Sequence, residues 1–401
     1  MIPFEEAIER TLRGVTRLGA ERVSLDRAPG RVLSEDIVSP RPMPAFARSA
    51  MDGYAVRASF FQGGGPWTLL VRGESRAGVA GPPLDVGTAC RIFTGAPVPE
   101  GANAVIIQEK VNRSGNEIAV TERPQEGQHI RSAGADLAQG VTALRSGTRL
   151  TPGRVGLLAS LDRAHVIVAR RPVVTLISTG DELRSPGVPG PDSSIPESNS
   201  FVVAEVARRA GAIARVAPLL ADDAERTEAE VRRALRGSDL LVTIGGASVG
   251  DHDLVRPAMQ AAGVQFDFWK VAMKPGKPVA VGTLGGTRVL CLPGNPASAA
   301  ATFMLFGVPL VRAMQGEDTL RPRRIPMRII GSHVHRTGRE EYLRARLEVH
   351  DGELCAVLPA SQSSGAVTSF ADAEAMVVLA ADRTGIENGD RLPVILLSDI
   401  Y

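Results

Sequence analysis

Phe4, Ala7, Ile8, Leu12, Val15 and Leu18 recur at helical spacing and predict an amphipathic helix over residues 4–18. After Pro40 the pattern changes to short apolar runs between Gly and Pro, such as WTLLV (67–71), CRIFTG (90–95) and AVIIQEKV (104–111). That texture predicts a β-rich segment lasting to about Asp136. Residues 138–170 are mixed, with a helical pattern in TPGRVGLLASL and a strand in HVIVA. Beyond Arg171-Pro172 strands and helices alternate. PVVTLIS, IARVAPL, DLLVTI, VQFDFWKV, VAVGTL and RVLCL read as strands. Helices are expected over 199–210, 223–236 and about 253–262, with another from Pro296 to Met314. Alternation of this kind gives a parallel sheet covered on both faces. RPRRIP (321–326) reads as a linker, followed by short alternating strands of a small all-β domain. The expected division is 1–40 with 138–170, then 41–137, 171–318 and 319–401.

A chain of 401 residues exceeds what one core organises. Its 44% hydrophobic and 22% charged content is that of a globular protein. A net charge of +2 makes neither a polyanion-binding surface nor an acidic tail the main theme, and 4% aromatic residues argue against a stacking platform for single-stranded nucleic acid. Cys90, Cys291 and Cys355 form no CxxC pair, which suits a reducing compartment. The acidic, amphipathic start is unlike a signal peptide, and no run reaches the roughly 20 apolar residues of a membrane span. A cytoplasmic protein without membrane or nucleic-acid partners is expected.

Ligands of open α/β sheets bind beyond the carboxyl ends of the strands. Three loops fall there: TGDEL (179–183), GGASVGDHD (245–253) and LPGNP (292–296). In the second, Gly245 and Gly246 let backbone approach an anion and Ser248 offers a hydroxyl, ahead of a helix N-terminus. The loop is neither a Walker A nor a GxGxxG motif. Asp251 and Asp253 beside it read as a Mg²⁺ site, since Mg²⁺ shares carboxylates with phosphate oxygens and water. Asp253 as a helix N-cap is the plainer alternative. Asp181 and Glu182 join the site or cap their turn, and His252 is a bystander.

Lys270, Lys274 and Lys277 in WKVAMKPGKP suit an oxyanion pocket or a solvated turn. On residue types alone, Met51-Asp52-Gly53 within SAMDGYAV reads as packing and a turn, and Thr94 contacts a ligand or starts a turn. His333 and His335 would share one strand face, read as exposed rather than as a metal site.

SAMDGYAV, TGAPVPEGAN, STGDEL, GGASVGDHD, KPGKP and LPGNPAS occur in one order over about 250 residues. Together they resemble the molybdopterin molybdenumtransferase family, which includes bacterial MoeA and the E domain of gephyrin, over essentially the whole chain. The resemblance implies an elongated N-terminal mixed domain, a β-rich domain, an α/β molybdopterin-binding domain and a small C-terminal β-barrel-like domain. It also implies a Mg²⁺-dependent transferase that inserts molybdate into adenylylated molybdopterin and releases AMP. The expected homodimer shares each active site between the α/β domain of one subunit and the β-rich domain of the other. A molybdopterin adenylyltransferase upstream and cofactor-accepting molybdoenzymes or chaperones downstream are the implied partners.

By motif position, Asp52, Thr94, Asp136, Glu182, Asp222 and Asp253 are the implied catalytic set, with Glu182, Asp251 and Asp253 toward Mg²⁺. Gly245, Gly246, Ser248, Gly250, Pro293, Gly294, Asn295 and Pro296 are implied at the pterin phosphate or pyrophosphate. Lys270, Lys274, Arg344 and Ser364 are implied at molybdate. Ala345 stands where the family has Gly, and no His follows the serine of SQSSG. Two rivals are the preceding adenylylation step, which usually needs no SAMDGYAV domain, and a receptor-clustering scaffold, which here has no appended clustering module.

Overall fold

The computed structural model describes residues 1–220, 223–245 and 254–400. It is a multi-domain α/β plus β protein that divides into two compact units. One comprises 1–34, 147–152 and 165–401, and the other 35–146 with 153–164.

The larger unit is built on a six-stranded sheet. Its strands are β1 (Val173–Ser178), β2 (Ile213–Val216), β3 (Leu240–Ile244), β4 (Gln265–Phe268), β5 (Ala280–Leu284) and β6 (Thr287–Leu292), in the order β2-β1-β3-β6-β5-β4. The first four in that order are parallel, as the alternation predicts. β5 runs antiparallel to both its neighbours, β6 and β4, and the short Gly285-Gly286 turn from β5 to β6 leaves no room for a crossover helix. β1, β3 and β6 are apolar along most of their lengths, with Val174, Leu176, Ile177, Leu241, Val242 and Leu290 fully buried.

The helices are α1 (Asn199–Arg209), α2 (Ala224–Leu235), α3 (Val255–Ala261) and the run Pro296–Met314. Asp223 caps α2 by accepting the Arg226 amide at 2.9 Å. The 19-residue run Pro296–Met314 is long and apolar enough for a membrane span, yet 94% of it is buried inside the protein. It widens to a π-helical turn at Phe303–Gly307, two residues before Pro309, whose ring cannot fit a regular α ladder. The N-terminal helix is shorter than its periodicity predicts. It covers Phe4–Leu12, since Arg13 turns extended before Gly14, although Val15 and Leu18 still pack on the same core.

The C-terminal strands 340–350, 353–357, 325–330, 391–396 and 375–379 pair in that order, and the last returns to the first, closing a small barrel. Met273–Lys274 joins this barrel by parallel pairing with Glu340–Glu341. A loop of the α/β layer is thereby fixed against the barrel wall.

The smaller unit holds another six-stranded sheet, with Gly53–Val56 between Ala104–Ile107 and Thr88–Ile92. Tyr54, Val56, Phe61, Leu69, Ile106 and Ile118 form its core.

Candidate active site

The carboxyl ends of β1, β3 and β6 open into a cavity of about 510 Å³. Thr179, Gly180 and Glu182 line it after β1, Gly245 after β3, and Pro293 to Pro296 after β6. Gly245 has φ +91°, and a Cβ there would lie 2.9 Å from the Thr179 carbonyl oxygen. A side chain would therefore close the gap between two of the loops. Asn199 at the start of α1 donates to the Gly294 carbonyl at 2.7 Å, fixing the β6 loop. Glu197, buried in the same wall, accepts the Ser200 amide at 2.7 Å and the Ser200 hydroxyl at 2.5 Å. Sequence reading missed Glu197; its position two residues before a helix was the available signal, but an acidic cap and a binding residue look alike there. Of the residues expected in the β3 loop and after β2, Gly246, Ser248, Gly250, Asp251, Asp253 and Asp222 lie outside the described residues. Glu182 is exposed, with its carboxylate curled toward Gly180.

A second cavity, of about 520 Å³, lies between the KPGKP loop and the C-terminal barrel. Lys274, Lys277, Arg339 and Arg344 bring cationic groups to its wall, and Glu341 brings a carboxylate. Ser364 lines it as well. Its hydroxyl accepts from Asn295 at 3.2 Å and its carbonyl accepts the Ala297 amide at 3.1 Å. Pro278 lines both cavities, and the Ser364–Asn295 bond ties the wall of this one to the wall of the first. Lys270 is not among the lining residues; its carbonyl accepts the Ile2 amide at 3.1 Å.

Arg344 is almost wholly buried, and its Nη2 donates to the Ser363 carbonyl at 3.0 Å. Among the described residues its Nε has no hydrogen-bond partner. Gln362 grips the Arg344 main chain, accepting its amide at 3.0 Å and donating to its carbonyl at 2.8 Å. Burial pushes the guanidinium pKa down and Glu341 pushes it back up. The Ala345 departure is absorbed in the barrel, where Ala345 is buried opposite Ala375.

His333 and His335 are not an exposed pair. Their imidazoles converge on Glu341, with His333 Nε2 at 3.1 Å and His335 Nδ1 at 2.7 Å from one carboxylate oxygen, and His335 is buried. Val334 between them faces solvent. The alternation was legible, but the buried acceptor on another strand was not.

In the smaller unit, Asp52 accepts the Thr94 amide at 2.7 Å and the Thr94 hydroxyl at 2.8 Å. Those two bonds, with Arg91 nearby, hold the carboxyl below its ordinary value. Arg91 stacks over Tyr54 and Phe93 and donates to the Gly53 carbonyl at 3.1 Å. Asp136 is exposed, and its amide donates to the Met43 carbonyl at 2.9 Å.

Residues 2–161 match the MoeA N-terminal region (domain I and II), 175–313 the probable molybdopterin binding domain, and 332–397 the MoeA C-terminal region (domain IV). The molybdopterin molybdenumtransferase 2 of Mycobacterium tuberculosis is 37% identical, over 93% of this chain and 94% of its own. The chain belongs to the molybdopterin molybdenumtransferase family. The Bacillus subtilis molybdopterin molybdenumtransferase is 33% identical over 99% of this chain and 94% of its own. A crystal structure of the molybdopterin biosynthesis MoeA protein from Pyrococcus horikoshii superposes with a TM-score of 0.82 at 31% identity, covering 99% of both chains. Membership makes the protein a transferase of molybdenum cofactor biosynthesis.

Proposed function

We propose that the protein inserts molybdate into adenylylated molybdopterin and releases AMP in a Mg²⁺-dependent step. The observation that carries this reading is the pair of neighbouring cavities, one walled by phosphate-type loops and the other by four cationic side chains. The first suits the pterin phosphate and its pyrophosphate, with Gly245, Pro293, Gly294, Asn295 and Pro296 shaping the wall. The second suits a tetrahedral dianion. Lys274 and Arg344 donate to it, and Ser364 stands on the side toward the first cavity. Molybdate and pyrophosphate repel each other, and preorganised cations let both approach without rearrangement at the moment of reaction.

The described donors fit Mg²⁺, which needs only one or two carboxylates besides water and phosphate, and Glu182 supplies one on the cavity wall. Asp251 and Asp253 would complete the set. When bound, the ion offsets charge developing on the departing phosphate. Lys270, Asp222, Gly246, Ser248 and Gly250 belong to the same reading through their motifs. So do Asp52, Thr94 and Asp136, supplied to the site by the second subunit of a homodimer.

Purified protein given adenylylated molybdopterin, Mg²⁺ and molybdate is expected to release AMP and to yield a cofactor that activates an apo-molybdoenzyme. AMP release with no active cofactor, or pyrophosphate release from ATP and metal-free molybdopterin, would overturn the assignment. Replacing Lys274 or Arg344 by Ala should raise the molybdate concentration for half-maximal rate about tenfold, the scale of one charge-assisted hydrogen bond.

A further inference from the structure

We propose that Glu341, anchored by His333 and His335, is a positioning residue that fixes the Lys274 ammonium on the wall of the cationic cavity. This rests on the reading of that cavity as the oxyanion site. The strand register puts Lys274 directly beside Glu341. Lys274 Nζ lies 2.7 Å from one carboxylate oxygen of Glu341, while both imidazoles approach the other oxygen. The two oxygens therefore have separate tasks: one faces the histidines and the other faces the lysine.

An ionised carboxylate only accepts hydrogen bonds, so the imidazole nitrogens that face it carry the protons. Among the described residues, the other nitrogen of His335, Nε2, is buried with no partner. The cluster is thus a buried carboxylate with two imidazole donors and one cation. Burial raises the carboxyl pKa, but the bonds from Lys274, His335 and His333 outweigh it and keep the group ionised.

Such an arrangement is a poor way to gain stability, because the cost of desolvating the buried carboxylate offsets most of its attraction to a lysine that is itself half-exposed. It is a good way to gain position. A lysine has a flexible four-carbon stem, and holding it in one rotamer before the anion arrives removes that ordering cost from binding. One N–H of Lys274 goes to Glu341, and among the described residues no further side-chain partner takes the other two. Lys277, Arg339 and Arg344 share the wall, so the cavity remains cationic with Glu341 ionised.

The test is calorimetric titration of the full-length protein with sodium molybdate. E341A is expected to weaken binding about tenfold, the loss of one charge-assisted contact. E341Q keeps an oxygen for Lys274 and should bind within about threefold of the parent. H335Q, which loosens the carboxylate but keeps the pair, should weaken binding about threefold. In a K274A background the E341A change should cost nothing further, which a general structural role would not produce. Unchanged binding by E341A, tighter binding by both Glu341 variants, or an undiminished loss in the K274A background would each overturn the proposal. If E341A does not fold, unchanged binding by H335Q overturns it. If K274A alone binds molybdate as the parent does, the cavity reading fails instead.

Discussion

Two carboxylates carry most of the residue-scale chemistry, and each is kept charged by different means. Asp52 sits at the surface, where the Thr94 amide and hydroxyl both bond to one oxygen and favour its anionic form. Thr94→Val removes the hydroxyl and leaves the amide, so the carboxyl should titrate closer to its ordinary value of 3.8, read by carbon NMR. Glu341 is buried, and its depressed pKa has a stability consequence with a definite sign. The ionised form favours the folded state, so its contribution is full above the ordinary value of 4.5 and fades as pH falls toward the depressed folded value. The urea midpoint of the parent should therefore drop more between about pH 6 and about pH 3.5 than that of E341Q. Equal drops would mean that the carboxylate is not held ionised by its neighbours.

At the scale of elements, Gly53 shows what residue types alone conceal. Residue types favour a turn at Asp52-Gly53, but Gly53 begins a buried strand. An added Cβ would lie 1.9 Å from the Ile106 carbonyl oxygen on the adjacent strand. The glycine is there for close backbone approach, and that approach places Asp52 at the strand's mouth. Gly53→Ala should destabilise the smaller unit by about 1–3 kcal/mol, the usual scale of overpacking, and lower its melting transition. The alternating strands and helices of the α/β layer, and the loops at their carboxyl ends, were readable because their signals are local. The antiparallel edge needed knowledge of turn length between β5 and β6. The pairing of Lys274 with Glu341 was hidden for another reason: it joins residues 67 apart in sequence through a single two-residue ladder. Neither HVH nor REEY carries a local sign of the other, so the histidines looked like a solvent-facing strand.

At the scale of the molecule, the proposed site residues fall into two compact units. Asp52, Thr94 and Asp136 belong to the smaller, while Glu182, Lys274, Arg344 and Ser364 belong to the larger. Asp52 is already satisfied by Thr94 within its own unit, and Ser364 by Asn295 within the other. If a homodimer contributes the small-unit set from one subunit and the large-unit set from the other, variants defective in opposite units should complement when assayed at molybdate far below the half-maximal concentration of K274A. D52A and K274A subunits, mixed and allowed to exchange, would form hybrid dimers in which one site is wild type and the other carries both changes. With random exchange, half of the dimers are hybrids with one working site, so AMP release should recover to about a quarter of the parental rate. Mixing two large-unit variants, K274A and R344A, should give no recovery, because neither subunit then brings an intact cationic cavity. Failure of D52A and K274A to complement, in a mixture shown by native mass spectrometry to contain hybrids, would place both sets in service of sites within one subunit.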